Sequence, residues 1–160
     1  MLRIRVICTG KLKEKFYKDA SEEYLKRLGA YCRGEVIELP ETKLDDNPSD
    51  AQIEAALEKE GETILSRIPK GACVIAMCVE GKQLSSPALA ELIRVETVAG
   101  TSKLVFIIGG SYGLSQKVKQ AAKLRLSMSE MTFPHHLARV LVLEQIYRAF
   151  NINEGSSYHK

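Results

Sequence analysis

The 160-residue sequence has no tryptophan, three histidines and four cysteines, and no two cysteines stand in a C-x-x-C pair. That excludes zinc-ribbon and dithiol redox motifs. Four scattered cysteines in a chain this long do not make a disulfide framework. Cys8, Cys73 and Cys78 lie in apolar runs, so they and Cys32 are expected to be reduced, mostly buried thiols of a cytoplasmic protein. No apolar run reaches the length of a membrane span, and the opening "MLRIRVICTGK" has no signal-peptide character. There is no H-x-E or H-E-x-x-H pattern, no G-x-G-x-x-G and no P-loop. Internal repeats, linkers and low-complexity tracts are missing too.

What is present is an ordinary globular composition, 45% hydrophobic and 27% charged. Residues 1–160 are expected to form one domain. The net charge of +3 is unevenly spread: residues 1–34 and 67–160 are basic, and 35–66 strongly acidic. A basic face able to attract a polyanion is compatible with this balance, but so are solvated helix faces.

Hydrophobic spacing alternates between strand and helix. "LRIRVIC" has period two. Leu12, Phe16, Ala20, Tyr24 and Leu28 recur every four residues, which predicts an amphipathic helix. "EVIEL" is a second strand. Ser49 with Gln52 forms a capping-box signature for an acidic helix to about Ile68. "ACVIAMCV" and "KLVFII" read as strands covered on both faces. "EGKQLSS" reads as a loop, with Ser86-Pro87 as the N-cap and first turn of the next helix. "QKVKQAAK" is a polar helix, "LRLSMS" a short strand, and a last helix starts at Pro134. Five strands alternating with five helices predict an α/β fold, with a mostly parallel sheet and helices on both faces. Ligands in such folds bind beyond the carboxyl ends of strands, which selects the loops after Val79, Ile108 and Ser129.

In "VFIIGGSYGLS" a buried strand runs into Gly109, Gly110 and Gly113, a turn suited to close approach of a ligand or to a purely structural role. "LSMSEMTFP" offers backbone donors and acceptors along an apolar wall, as a heteroaromatic ring requires, though a plain strand-to-helix connection reads the same way. His135 and His136 are adjacent on a helix, about 100° apart, so they do not converge on one metal. The helix N-terminus favours their neutral forms. The helix that follows is apolar on nearly every side, which predicts packing on the sheet and on a second subunit. The tail ends in Tyr158, His159 and Lys160: a stacking ring, a titratable ring and a cation.

"FIIGGSYGL", "LSMSEMTFPHHLARVLVLEQIYRAF" and the terminal "YHK" closely resemble the RlmH-type ribosomal RNA methyltransferases of the SPOUT superfamily. "TGKLKEKFYKDASEEYLKRL" fits the N-terminal region of that family. The resemblance covers essentially the whole chain. It implies an α/β domain with a C-terminal deep trefoil knot, a homodimer, and S-adenosylmethionine bound in the knot. The implied reaction is methylation of N3 of a pseudouridine in large-subunit (23S) ribosomal RNA. Carried over by position, the cofactor residues are Met77, Gly109, Met128, Ser129, Glu130, Met131, Thr132 and Phe133. Met77 stands where leucine is common, Cys78 where the family often has an acid, and Glu130 where lysine is frequent. A side-chain role is therefore not carried over at Cys78 or Glu130, whereas backbone contacts to the cofactor survive both departures.

The implied chemistry needs alignment of methyl and nucleophile, and loss of the N3 proton. His159 is the candidate base, with His135 as runner-up. Arg148 and Lys160 are candidates for holding charge on the uracil oxygens or a phosphate, and Tyr158 for stacking on a base. Two other classes remain: a nucleotide-cofactor oxidoreductase, disfavoured without G-x-G-x-x-G, and a non-catalytic ribosome-assembly or RNA-binding factor. No metal and no membrane is expected among the partners.

Overall fold

The computed structural model describes all of residues 1–160. The elements are β1 (Arg3–Thr9), α1 (Lys15–Leu28), β2 (Arg33–Leu39), α2 (Asp50–Ser66) and β3 (Cys73–Gln83). They continue with α3 (Ser86–Val98), β4 (Lys103–Ile108), α4 (Gln116–Ala121), β5 (Leu124–Ser127) and α5 (His135–Asn153). The strands form one sheet in the order β2-β1-β4-β3-β5, and every pairing is parallel.

Alternate residues of the central strands enter two separate cores. Ile4, Val6, Ile75, Leu104 and Phe106 pack with Leu28 of α1, Ile93 of α3 and Leu143 and Ile146 of α5. Ile7, Val74, Ala76, Val105 and Ile107 pack with Ile64 of α2 and Val118 of α4. Both sheet faces are thus covered, which is why β3 and β4 read as continuous apolar runs. Each fully buried Ile or Phe here contributes on the order of 1.5–3 kcal/mol.

Four sequence expectations are corrected. Phe16 is 64% exposed, while the covered stripe of α1 runs through buried Ser21 and Leu28 and half-buried Tyr17, Tyr24 and Leu25. Spacing by four drifts about 40° per step around a helix, so the whole series cannot stay on one face. "EGKQ" is not a loop: β3 continues to Gln83, with a register jump in which both Met77 and Lys82 pair with Leu126. The bulge pushes Val79 out to 71% exposure. It also brings Gly81 so close to β5 that a Cβ there would lie 2.7 Å from the Arg125 carbonyl oxygen. The N-cap of α3 is Ser85, accepting from the Ala88 N–H at 3.1 Å. Ser86 instead donates to Gln145 Oε1 at 2.6 Å. Pro134 occupies the cap position of α5 with extended ψ, so the helix proper begins at His135.

The capping box of α2 is present, with Gln52 N–H donating to Ser49 Oγ at 3.2 Å and Ser49 N–H to Gln52 Oε1 at 2.8 Å. No residue of α5 from His135 to Ile152 is exposed. Its one deeply buried charge, Arg139, donates to Glu38 Oε2 at 2.6 Å and to the Gly10 carbonyl at 3.1 Å. That arginine ties the start of α5 to the carboxyl ends of β1 and β2. All four cysteines are free and buried.

Candidate functional site

The carboxyl ends of β3, β4 and β5 open on a cavity of ≈ 540 Å³. Three connections build it. From β3 come Met77 and Cys78, from the turn after β4 Gly109, Gly110 and Gly113, and from the β5–α5 segment Met128 to Pro134 without Glu130. A second cavity of ≈ 390 Å³ adjoins it, sharing Met77, Leu126, Met128 and Phe133 and reaching Ser86 and Gln145.

Glycine is required at the β4 turn. A Cβ on Gly109 would collide with the Gly113 carbonyl, and Gly113 itself has φ +84°. The β5–α5 segment is folded on itself by Ser129, whose Oγ accepts from the Met131 N–H at 3.0 Å and whose carbonyl accepts from Ser127 Oγ at 3.1 Å. Seven of the eight residues expected to hold a cofactor therefore line one cavity: Met77, Gly109, Met128, Ser129, Met131, Thr132 and Phe133. Glu130 lines neither cavity and is exposed. The donor set suits a nucleoside cofactor. Its volume lies in the range of small-molecule sites, the walls are methionine and phenylalanine, and the polar groups are mostly hydroxyls and main chain.

Arg148, Tyr158 and His159 come together elsewhere. Arg148 donates to Glu144 Oε1 through Nε (2.9 Å) and Nη2 (2.6 Å), and its Nη1 lies 3.2 Å from His159 Nδ1. The Tyr158 hydroxyl donates to the same Glu144 oxygen at 3.2 Å, and the guanidinium sits 4.8 Å over the Tyr158 ring. Tyr147 meets Tyr158 edge-on at 4.9 Å. Hydrogen bonding to Glu144 holds the Arg148 pKa above its ordinary value. Burial, with Glu144 next, pushes Tyr158 up, so its hydroxyl stays a donor at neutral pH. None of these three residues lines either cavity. A hydrogen-bonded chain connects them to the second one: Gln145 Nε2 donates to Glu144 Oε2 at 2.9 Å, and Ser86 to Gln145.

The hub of that cluster is Glu144, which is not among the residues expected from the sequence. Its spacing of four from Arg148 on a helix is the sequence signal that points to it. His135 lines the first cavity; burial, then the neighbouring His136, lowers its pKa. His136 lies 3.8 Å from Glu14 and edge-on to Tyr17. No group of three or more His, Cys, Asp or Glu is arranged to hold a metal ion. Nor is any helix long and apolar enough to cross a membrane.

Residues 2–159 match the family model described as predicted SPOUT methyltransferase. Two relatives from Streptococcus thermophilus strains CNRZ 1066 and ATCC BAA-250 / LMG 18311 are 48% identical over 159 residues. Both are described as ribosomal RNA large subunit methyltransferase H, and the match spans 99% of this chain and 100% of each relative. A solved structure of a probable methylase family protein from Haemophilus influenzae Rd KW20 aligns with TM-score 0.52 at 16% identity. That match covers 99% of this chain and 70% of the other, and bears on the fold alone.

Proposed function

The chain belongs to the SPOUT methyltransferase family, and from that premise we propose that it methylates N3 of a pseudouridine in large-subunit ribosomal RNA, using S-adenosylmethionine. The observation that carries the reading is the convergence of seven expected cofactor residues on one cavity of suitable size. The full-length likeness to relatives named as large-subunit ribosomal RNA methyltransferases supports the substrate class. The same proposal includes a knotted path for the C-terminal segment, a homodimer and action in the cytoplasm.

S-adenosylmethionine, when bound, would supply an electrophilic methyl group. The chain's own residues supply position. The glycine turn and the Ser129-centred fold hold main-chain groups rigid around the cofactor, and alignment of this kind contributes on the order of 7–11 kcal/mol. The Met77, Leu126 and Phe133 walls exclude water from its apolar parts. In the homodimer, α5 of each copy buries its half-covered Leu137, Val140 and Leu141 against the other. The second copy then brings its Arg148–Tyr158–His159 cluster to the mouth of the first cavity. There His159 takes the N3 proton, a contribution of roughly 10²–10⁴-fold. Arg148 faces negative charge developing on the ring oxygens, and Tyr158 stacks on a base.

The experiment is incubation with labelled S-adenosylmethionine and either 70S ribosomes or free subunits, followed by mapping of the modified nucleotide. Label in large-subunit RNA at N3 of a pseudouridine is the expected result. Ribosome binding with no transfer would instead make the protein a non-catalytic assembly or RNA-binding factor. For the base, single-turnover transfer by His159→Ala is measured across pH; an unchanged profile removes His159 from that role.

A further inference from the structure

A second opening in the molecule is larger than the cofactor cavity. A crevice of ≈ 870 Å³ lies at the carboxyl ends of β2, β1 and β4. The topology creates it. The helix after β1 packs on one sheet face, and those after β2 and β4 pack on the other. The connections leave these neighbouring strands in opposite directions, the arrangement that opens a ligand crevice in a parallel sheet. It borders the cofactor cavity, because Ser111 and His135 line both.

Its chemistry is mixed. The rim carries Lys11, Lys13 and Lys43 interspersed with Glu14 and Asp45, all exposed, and Tyr112, 49% exposed. On α1, Phe16 is 64% exposed with its ring tilted against Tyr17 at 4.4 Å, Lys15 and Lys18 flank the pair, and Tyr17 meets His136 of the crevice edge-on. Two further carboxylates line it, Glu41 exposed and Glu60 buried. Glu41 is wedged against the Gly10 and Gly110 turns, where an added Cβ would meet its oxygens at 3.1 and 2.6 Å. Glu60, 9% exposed, accepts from the Thr42 N–H at 2.7 Å. Burial, then the Glu60–Thr42 bond and the repulsion of Glu41, act on its carboxyl, and the net direction is upward. Lysines, an exposed ring and accessible carboxylate acceptors in one crevice match a nucleotide: phosphate at the lysines, ring on Tyr112, and exocyclic amine toward Glu41.

We propose that this crevice is a second RNA subsite, holding an unstacked nucleotide with an amino-bearing base (adenine, guanine or cytosine) next to the methylated one. It rests on the function proposed above. Uracil fits less well, because it presents carbonyl acceptors to the carboxylates.

The test uses the full chain and 70S ribosomes, with variants Lys11→Glu/Lys13→Glu, Tyr112→Ala and Glu41→Gln. A control, Lys70→Glu, lies at the opposite end of the sheet. Methyl transfer gives KM for ribosomes, calorimetry gives S-adenosylmethionine affinity, and sedimentation gives ribosome binding at several salt concentrations. Tyr112→Ala should weaken ribosome binding about tenfold, the scale of one stacked base. The double lysine variant should flatten the log–log salt slope by about 1.4, two phosphate contacts' worth. Cofactor affinity and the Lys70→Glu control should not change. Photo-crosslinking from Tyr112 should land on an A, G or C within a few nucleotides of the modified position. Unchanged ribosome binding in folded Tyr112→Ala and lysine variants overturns the subsite, as does an equal loss in Lys70→Glu. If the wild type transfers no methyl group, the function proposal fails, yet the sedimentation comparison still decides the subsite.

Discussion

Replacing Glu38 with alanine should destabilise this protein more than replacing Arg139 with methionine, although Glu38 is the more exposed partner. The side chains of Arg139 and Glu38 are 2% and 34% exposed. Glu38→Ala leaves a guanidinium in the interior with one remaining acceptor, the Gly10 carbonyl, and a buried Nε that already has no partner. Stranding a buried charge in this way costs about 3–5 kcal/mol. Arg139→Met keeps most of the packing volume and leaves a carboxylate that water can reach and that still accepts from the Leu12 N–H at 2.8 Å. The remaining loss is chiefly the Gly10 carbonyl left without its donor, about 1–3 kcal/mol. With Arg139 gone, Glu38 keeps only the bond from the Leu12 N–H, so the double variant should lie within about 1 kcal/mol of Arg139→Met alone. The cycle should then show a coupling of at least about 2 kcal/mol. Urea unfolding at pH 7 and one fixed protein concentration reads all four forms, fixed because the stability of the proposed dimer would depend on concentration. Glu38→Ala should shift the midpoint by roughly 1–3 M. A Glu38→Ala loss equal to or smaller than that of Arg139→Met, or an additive double variant, would refute the reasoning. There is a pH signature as well. Burial works to raise the Glu38 pKa, but the bonds from Arg139 and Leu12 outweigh it and the net direction is down. Stability from that carboxylate is present above its unfolded value of about 4.3 and is lost as pH falls through the folded value. The difference between wild type and Arg139→Met should therefore narrow below about pH 4.

Gly109→Ala drives a Cβ into the Gly113 carbonyl; calorimetry should show S-adenosylmethionine binding weakened at least tenfold, with about 1–3 kcal/mol of overpacking in urea unfolding. Ser49→Ala removes the Oγ acceptor of the α2 capping box. It should cost about 1 kcal/mol without changing methyl transfer. His135 should titrate below about 6.5 by NMR, since burial and then His136 depress it. A depressed value means stability is full above about pH 6.5 and falls as pH drops below it. His135→Asn should remove that component of the pH dependence.

Local chemistry made much of this molecule legible in one dimension. Period two and continuous apolar runs placed the strands, because side chains alternate faces and both faces of this sheet are covered. Ser49 with Gln52 fixed a helix start, because a cap is satisfied within four residues. The glycine turn after β4 and the segment before α5 were legible as candidates for the same reason: backbone that must approach a ligand shows itself in glycine and small polar residues. Tertiary structure decided what depends on who lies across the sheet. The β3 bulge at Gly81 exists because β5 pairs there. Phe16 is exposed because nothing packs on that side of α1. Arg139 is a buried strut because two strand ends, far away in sequence, converge on it. The same convergence gathers Lys11, Glu41 and Tyr112 from three separate loops into one crevice. No spacing along the chain encodes that meeting, because it follows from the order of strands in the sheet.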